Sequence, residues 1–148
     1  MIRESKVSLH QLDLSTQKLT DVPGSEGLWV PAWSPDGKYL SAFTGGDPQK
    51  LKIYEFATQK WTEVAQGALG DFGFYPDSKA VFYFDQATQK MFRVRLSDQK
   101  AEQIADLHSI DQPSISYWPA WTGLAPDGSP LLMRNLGTTE IYALELEK

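Results

Sequence analysis

Trp33-Ser34-Pro35-Asp36-Gly37-Lys38-Tyr39-Leu40 decides the fold, because the chain repeats the centre of this stretch twice more. The other copies are Tyr75-Pro76-Asp77-Ser78 and Ala125-Pro126-Asp127-Gly128, which begin 41 and then 50 residues further on. Proline presets φ for the first central position of a tight turn, and Asp-Gly tolerates the rest of it. Each copy lies between an aromatic or apolar stretch and an apolar run, which predicts three β-hairpins.

A second repeated tetrad supports the same period. Ser15–Lys18, Ala57–Lys60 and Ser97–Lys100 lie 42 and then 40 residues apart, and each follows a stretch in which apolar and polar residues alternate. Alternation with a period of two is typical of a half-buried strand. A unit of four antiparallel strands that recurs near every 40 residues predicts an all-β chain built of β-propeller blades.

The repeats divide the chain into unequal parts. Residues 7–22 supply a third and a fourth strand, residues 28–65 and 71–105 form two complete blades, and residues 117–146 supply the first three strands of a last blade. The innermost strands carry an aromatic residue before the turn, for which we expect Trp33, Phe74 and Trp121. We predict one half-propeller domain over residues 1–148, with about three blades.

These motifs resemble the TolB-type propeller repeat, a WD-like repeat with a Pro-Asp-Gly turn. Residues 33–40 match its aromatic-Ser-Pro-Asp-Gly-Lys pattern fully, and residues 53–60 match its Ile-Tyr strand and turn with Gln59 in place of glycine. Ser78 departs from the pattern in the second copy. The chain also resembles the C-terminal propeller half of larger bacterial sensor-like proteins. The resemblance implies rings of six to eight blades, so this chain corresponds to about half of one.

Composition excludes several classes of function. The net charge of −5 opposes nucleic-acid binding, which needs a basic surface, and the absence of cysteine excludes thiolate chemistry. Residues 1–6 lack the apolar core of a signal peptide, and no apolar run approaches the ~20 residues of a membrane helix. The sequence therefore predicts no membrane partner and a cytoplasmic location as expressed, with an extracytoplasmic location open within a longer parent protein.

Catalytic chemistry has little support in the sequence. We expect the turn aspartates to bond the backbone of their own turns, and no Gly-x-Ser-x-Gly nucleophile motif is present. His108 lies between Asp106 and Asp111; this group could bind a cation or shuttle protons, but a polar loop is the favoured interpretation. We predict no enzymatic activity, no metal and no cofactor.

A ligand site is expected on the loops that ring the channel of a propeller, where aromatic, glycine and acidic residues cluster. The tryptophans among them could equally be buried beneath the loops. The candidate ligand-binding residues are Trp29, Asp47, Asp71, His108, Tyr117 and Trp118.

Half a ring would expose two apolar blade faces, so we predict a homodimer that closes a six-bladed ring. The first functional hypothesis is a non-enzymatic scaffold or protein-interaction module that assembles with itself, with a protein or peptide as a further partner. The alternative is a small-molecule, sugar or peptide site on the channel face, which could carry weak hydrolase or lyase activity. One predicted third strand is surplus in the dimer, because residues 7–22 and 117–146 both offer one.

Overall fold

The structure, a computed structural model, describes residues 7–113 and 121–138, and within them every regular element is a β-strand. The strands are β1 His10–Leu12, β2 Leu19–Asp21, β3 Leu28–Trp33, β4 Tyr39–Thr44, β5 Gln49–Glu55, β6 Lys60–Gly67, β7 Leu69–Phe74, β8 Ala80–Asp85, β9 Lys90–Arg95, β10 Ala101–Asp106, β11 Thr122–Leu124 and β12 Pro130–Leu132.

The strands form antiparallel sheets in chain order. Blade 1 is the four-stranded sheet β3-β4-β5-β6, and blade 2 is the four-stranded sheet β7, β8, β9, β10. The N-terminal hairpin (residues 9–22) contains β1 and β2, and the C-terminal hairpin (residues 121–133) contains β11 and β12. The predicted all-β fold with four-stranded blades is confirmed. The single domain over residues 1–148 stays a prediction, and the third strand expected at 141–146 lies outside the described residues.

Each Pro-Asp turn is closed by backbone hydrogen bonds. The N–H of Gly37 donates to the carbonyl of Ser34 at 2.9 Å. In the other two turns, Ser78 donates to Tyr75 at 2.9 Å and Gly128 donates to Ala125 at 2.8 Å. The third turn is one residue shorter, because Ala125 bonds Ser129 where the other copies span one residue more. Leu124, which directly precedes the third turn and pairs with Pro130, occupies the place of Trp33 and Phe74. The expectation that Trp121 fills this place is wrong.

Neighbouring sheets pack face to face through three apolar clusters. The second strands β4 and β8 are largely buried, since a sheet lies against each of their faces. The first cluster joins the N-terminal hairpin to blade 1 through Leu9, Val22, Leu28, Leu40, Ala42 and Tyr54. The second joins the two blades through Phe43, Leu51, Ile53, Leu69, Val81 and Val94. The third joins blade 2 to the C-terminal hairpin through Phe82, Phe84, Met91, Leu107, Leu124 and Leu132.

A polar contact also fixes the two blades to each other at their Pro-Asp turns. The backbone N–H of Asp36 donates to the hydroxyl of Ser78 at 3.0 Å. Ser78 has φ of 58°, where the other two copies of the turn have Gly37 at 71° and Gly128 at 84°. A left-handed conformation costs a residue with a side chain ~1–2 kcal/mol relative to glycine. Serine in place of glycine at position 78 therefore adds backbone strain, but it also adds a hydrogen bond between the two blades.

Two substitutions of Ser78 separate the contribution of the hydrogen bond from that of the backbone strain. Ser78→Ala keeps the strain and removes the acceptor of the Asp36 N–H, so we expect the free energy of unfolding to fall by about 1 kcal/mol. Ser78→Gly loses the same hydroxyl but relieves the strain, so it should be more stable than Ser78→Ala by about 1 kcal/mol. Urea denaturation measures both. Equal losses in the two variants would contradict this account of the turn.

Candidate functional site

The blades have two ends that differ in chemistry. At one end lie the Pro-Asp turns that follow each innermost strand. At the other end the innermost strands β3 and β7 begin, beside the turns β4–β5 and β8–β9. The innermost strands of neighbouring sheets contact each other, β3 with β7 and β7 with β11. This convergence is expected where the first strands of successive blades line a channel.

The turn aspartates are occupied by their own turns, as the sequence predicts. Asp36 accepts hydrogen bonds from the Ser34 hydroxyl at 2.8 Å and the Lys38 N–H at 3.1 Å. These bonds, the Ser34 hydroxyl first, lower the pKa of Asp36 below its ordinary value. Asp77 accepts from the N–H two residues on at 3.0 Å, and Asp127 does so at 2.9 Å. These carboxylates stabilise hairpins.

Asp13, in the turn between β1 and β2, shows the same effect most strongly. It accepts hydrogen bonds from the Ser15 hydroxyl at 2.7 Å and from the N–H groups of Thr16 and Ser15 at 3.0 and 2.9 Å. These donors, the Ser15 hydroxyl first, lower the pKa of Asp13 from 3.8 to about 2. A pKa that is lower in the folded state means that the ionised carboxylate stabilises the fold.

The stabilisation by Asp13 should be complete above pH 3.8 and should be lost as the pH falls toward about 2. A carbon-detected NMR titration of the folded protein is expected to place the Asp13 midpoint near 2. Thermal unfolding should show that Asp13→Asn loses less stability than the wild type when the pH falls over the same range. A midpoint at the ordinary value of 3.8, with parallel acid profiles for the two proteins, would contradict the assignment.

His108 lies in the turn that follows β10. Its backbone N–H donates to Asp106 at 3.1 Å, and the other oxygen of Asp106 lies 3.9 Å from the Lys90 ammonium. Asp111 accepts from the amide of Asn135 at 3.2 Å. Each carboxylate thus has a partner other than the imidazole. In the part of the chain that the structure describes, no group of three or more His, Cys, Asp or Glu side chains could hold a metal ion.

A cleft of about 410 Å³ lies between blades 1 and 2 at the end where the innermost strands begin. Its apolar lining consists of Trp29, Val30, Ala32, Phe43, Leu69 and Phe72. Its polar lining consists of Gln49, Asp71 and Gln86, with Gly70 among the backbone that borders it. The cleft is therefore aromatic and apolar, with one carboxylate and two amides.

Irregularities in the two innermost strands shape this cleft. The pairing of β3 with β4 shifts between Trp29 and Ala32, and the pairing of β7 with β8 shifts between Leu69 and Phe72. Val30, inside the first shift, has φ of 51°. A β-branched residue in the left-handed region is a strong conformational outlier, and bulges of this kind often re-aim side chains at functional sites. The two bulges lie side by side, at the same end of adjacent strands.

Asp71 also ties the cleft to the C-terminal hairpin. Its Oδ2 accepts hydrogen bonds from the backbone N–H of Thr122 at 2.6 Å and from the Thr122 hydroxyl at 3.3 Å. Thr122 is buried, so these bonds hold the carboxylate in a fixed place at the seam between sheets. Both of these bonds go to Oδ2, and no donor among the described residues bonds Oδ1.

Two of the six predicted ligand residues, Trp29 and Asp71, line the same cleft. Asp47 lies in the exposed β4–β5 turn near Gln49, and His108 lies beyond the end of β10. Neither of them lines the cleft. Tyr117 and Trp118 lie outside the described residues. All six remain predictions as binding residues.

Phe43, Phe72 and Gln86 also line the cleft, and the sequence did not predict them as site residues. The two phenylalanines lie on strand patterns that indicate core. Phe43 stays buried in the core between the blades and Phe72 is half-buried, so the cleft borders the core here. The pairing of glycine with glutamine has a structural reason: a Cβ on Gly70 would lie 3.2 Å from Nε2 of Gln86 and 2.9 Å from the ring of Phe84. The glycine therefore allows the glutamine to lie against β7.

No protein-family model and no curated protein matches the sequence. Solved structures do match the fold. TolB from Acinetobacter baumannii has a TM-score of 0.62 at 18% identity, over 93% of this chain and 35% of that one. An auxiliary nutrient binding protein from Bacteroides thetaiotaomicron has a TM-score of 0.59 at 12% identity, over 87% and 31%. An oligogalacturonate lyase in complex with manganese has a TM-score of 0.58 at 12% identity, over 86% and 41%.

The fold is a TolB-like β-propeller, as the turn motifs predicted. The chain spans only about a third of the length of TolB and of the nutrient binding protein, and less than half of the lyase. At these identities the likeness concerns the fold alone, which hosts both binding proteins and enzymes. Among the described residues, no helix is long and apolar enough to cross a membrane.

Proposed function

We propose that the chain is a non-enzymatic propeller scaffold or interaction module that assembles with a second copy of itself into a six-bladed ring. One observation carries the proposal. The structure has two separate two-stranded sheets, the N-terminal and the C-terminal hairpin. By the sequence repeat, the first corresponds to the third and fourth strands of a blade and the second to the first and second strands. The two hairpins would make one complete blade if they belonged to different copies.

The free edge of β1 has the right hydrogen-bonding groups. The N–H of Asp13 donates to the Lys18 carbonyl, and the N–H of Val22 donates to the Leu9 carbonyl. Because backbone groups of an antiparallel strand alternate between its two sides, the N–H and C=O groups of His10 and Leu12 point away from β2. Among the described strands β1 pairs with β2 alone, so this edge can accept another strand.

The edge of β12 is complementary. Ala125 bonds Ser129 and Met133 bonds Trp121, so by the same alternation the outward groups belong to Pro130 and Leu132. In blade 1 the equivalent pairs are Leu40 with Tyr54 and Ala42 with Lys52. Transferring that register places Pro130 opposite Leu12, and Leu132 opposite His10. The Leu132–His10 pair can exchange both backbone hydrogen bonds. Proline has no N–H, so the Pro130–Leu12 pair makes one, from the Leu12 N–H to the Pro130 carbonyl.

Exposed apolar side chains flank both edges. Leu12 and Leu14 correspond to Tyr54 and Phe56 of blade 1, which lie against the preceding sheet, yet they are 48% and 80% exposed. On the C-terminal hairpin, Leu131 and Met133 are 48% and 39% exposed. In a two-fold ring, the first pair would face blade 2 of the other copy and the second pair would face its blade 1. Covering such side chains favours association.

Residues 141–146, the predicted third strand of the last blade, would compete with β1 of the second copy for the edge of β12. A chain shortened after Thr138 removes this competitor. We expect the shortened chain to dimerise at least as tightly as the full chain. Loss of the dimer on shortening would contradict the proposed pairing.

Light scattering at micromolar concentration should give twice the mass of the chain. Leu12→Pro removes an outward N–H without touching the bonds between β1 and β2, and an orphaned acceptor should weaken the dimer roughly 5- to 100-fold. Leu12→Thr keeps the N–H and serves as the matched control, with a smaller effect. A monomer mass for the unsubstituted chain would contradict self-assembly, and so would equal weakening by both variants.

A second candidate function is the binding of a small molecule, sugar or peptide at the channel face. The cleft between the blades favours it, because aromatic walls with a few convergent polar groups are typical of ligand sites. Its lining comes from a single copy of the chain. This candidate therefore does not depend on the assembly of the ring.

A further inference from the structure

We propose that the cleft between blades 1 and 2 binds an organic cation, specifically a ligand with a substituted ammonium group. The proposal rests on the second candidate function, ligand binding at the channel face, and names the chemical class of the ligand. Three features support it: the aromatic walls, the sign of the charge and the fixed geometry of the bulges.

Aromatic rings line the cleft, and among them Trp29 is exposed whereas Phe43 is buried. Trp29 is 41% exposed although it lies within an innermost strand. Opposite it in the pairing of β3 with β4 is Phe43, whose ring lies 4.2 Å from that of Phe72 at an interplanar angle of 57°. Aromatic faces attract cations through the ring quadrupole, and tryptophan does so most strongly. The seam between the blades thus carries aromatic rings from both of them.

The charge in the cleft has one sign. Among the described residues, Asp71 is the one ionisable side chain that lines it, and no lysine, arginine or histidine does. Thr122 bonds Oδ2 of this carboxylate but not Oδ1. A lone carboxylate beside aromatic rings favours a cationic ligand and disfavours an anionic one. The net charge of −5 adds a general attraction in the same direction.

One of the two amides, that of Gln86, lies in a supporting position. Nε2 of Gln86 donates to the carbonyl of Leu69 at 3.4 Å, so its amide is directed to the backbone of β7. Few polar groups then remain for the many hydroxyls of a sugar. A ligand with one charged group and an apolar body matches this lining better than a carbohydrate does.

The backbone holds the site in advance of any ligand. Val30 adopts φ of 51° in the bulge between Trp29 and Ala32, and the adjacent bulge of β7 contains Asp71. Strained residues persist where the surrounding structure over-determines them, and they cluster at ligand sites. The outlier and the carboxylate lie on neighbouring strands of the same cleft, so the strain falls at the proposed site.

Choline and 3,3-dimethylbutan-1-ol are a suitable pair of probes, because they share a shape and differ in charge. Isothermal titration with the full chain should detect choline and should show binding of the neutral alcohol that is weaker by roughly 2- to 30-fold, the range of a cation–π contact. Equal binding of the two, or no binding of choline, would overturn the proposal. Binding of a neutral sugar in place of choline would overturn it too, but would leave the second candidate function standing.

Two variants locate the site. Asp71→Asn keeps an oxygen for Thr122 and removes the charge, and Trp29→Leu removes the aromatic face. Each should weaken choline binding by roughly 2- to 30-fold without changing the fold seen by circular dichroism. Trp33→Leu is the matched control, since Trp33 lies at the other end of the same strand, stacked on Phe56 at 5.0 Å. Loss of binding in the control alone would contradict the assignment.

Light scattering on the same samples keeps the two proposals apart. The lining belongs to one copy, so choline binding by a monomer would support the cleft and contradict only the ring. A dimer that does not bind choline would contradict only the proposal that the cleft binds an organic cation.

Discussion

The face-to-face burial of successive sheets is the constraint on which the rest of the structure depends. Each four-stranded sheet of this chain has apolar side chains on both faces, so each needs a neighbour on both sides. The second strands, β4 and β8, are the most deeply buried between neighbouring sheets, along nearly their whole length. Burial of apolar area contributes ~25 cal/mol per Å², which makes every uncovered face costly.

This constraint gives meaning to the exposed apolar side chains on the N-terminal and C-terminal hairpins. The N-terminal hairpin covers one face of blade 1, and the C-terminal hairpin covers one face of blade 2. Each hairpin then presents apolar side chains such as Leu14 and Met133 on its own far side. A second copy, docked by a two-fold axis, would supply both missing neighbours at once and would join two half-blades into a whole.

The same packing creates the cleft. Innermost strands of neighbouring blades lie in contact, and β3 and β7 each have a bulge at the same end. Trp29 and Asp71 then face a common space, and Thr122 of the next sheet fixes the carboxylate. Scaffold and site are therefore two results of one arrangement, although their chemistry can be tested separately.

The sequence was sufficient for the turns and strands because both are local. Proline at positions 35, 76 and 126 marks each hairpin, and alternation marks the third strands. Trp121 was misplaced because the residue directly before the third turn is Leu124, and Trp121 lies three positions earlier. Trp29 and Asp71 were candidates because they follow glycine in predicted loops, although both lie within strands. Phe72 and Gln86 were not, because their place beside the cleft depends on packing between strands far apart in sequence.

The pairing of β1 with β12 of a second copy is tested most directly by isotope-filtered NMR on an equal mixture of labelled and unlabelled chains. In the expected register Gln11 faces Leu131 as a pair without mutual hydrogen bonds, whose Cα atoms approach to ~4.5 Å. An intermolecular contact between the Hα protons of these two residues is the predicted result. Contacts of Gln11 confined to its own chain would contradict the ring.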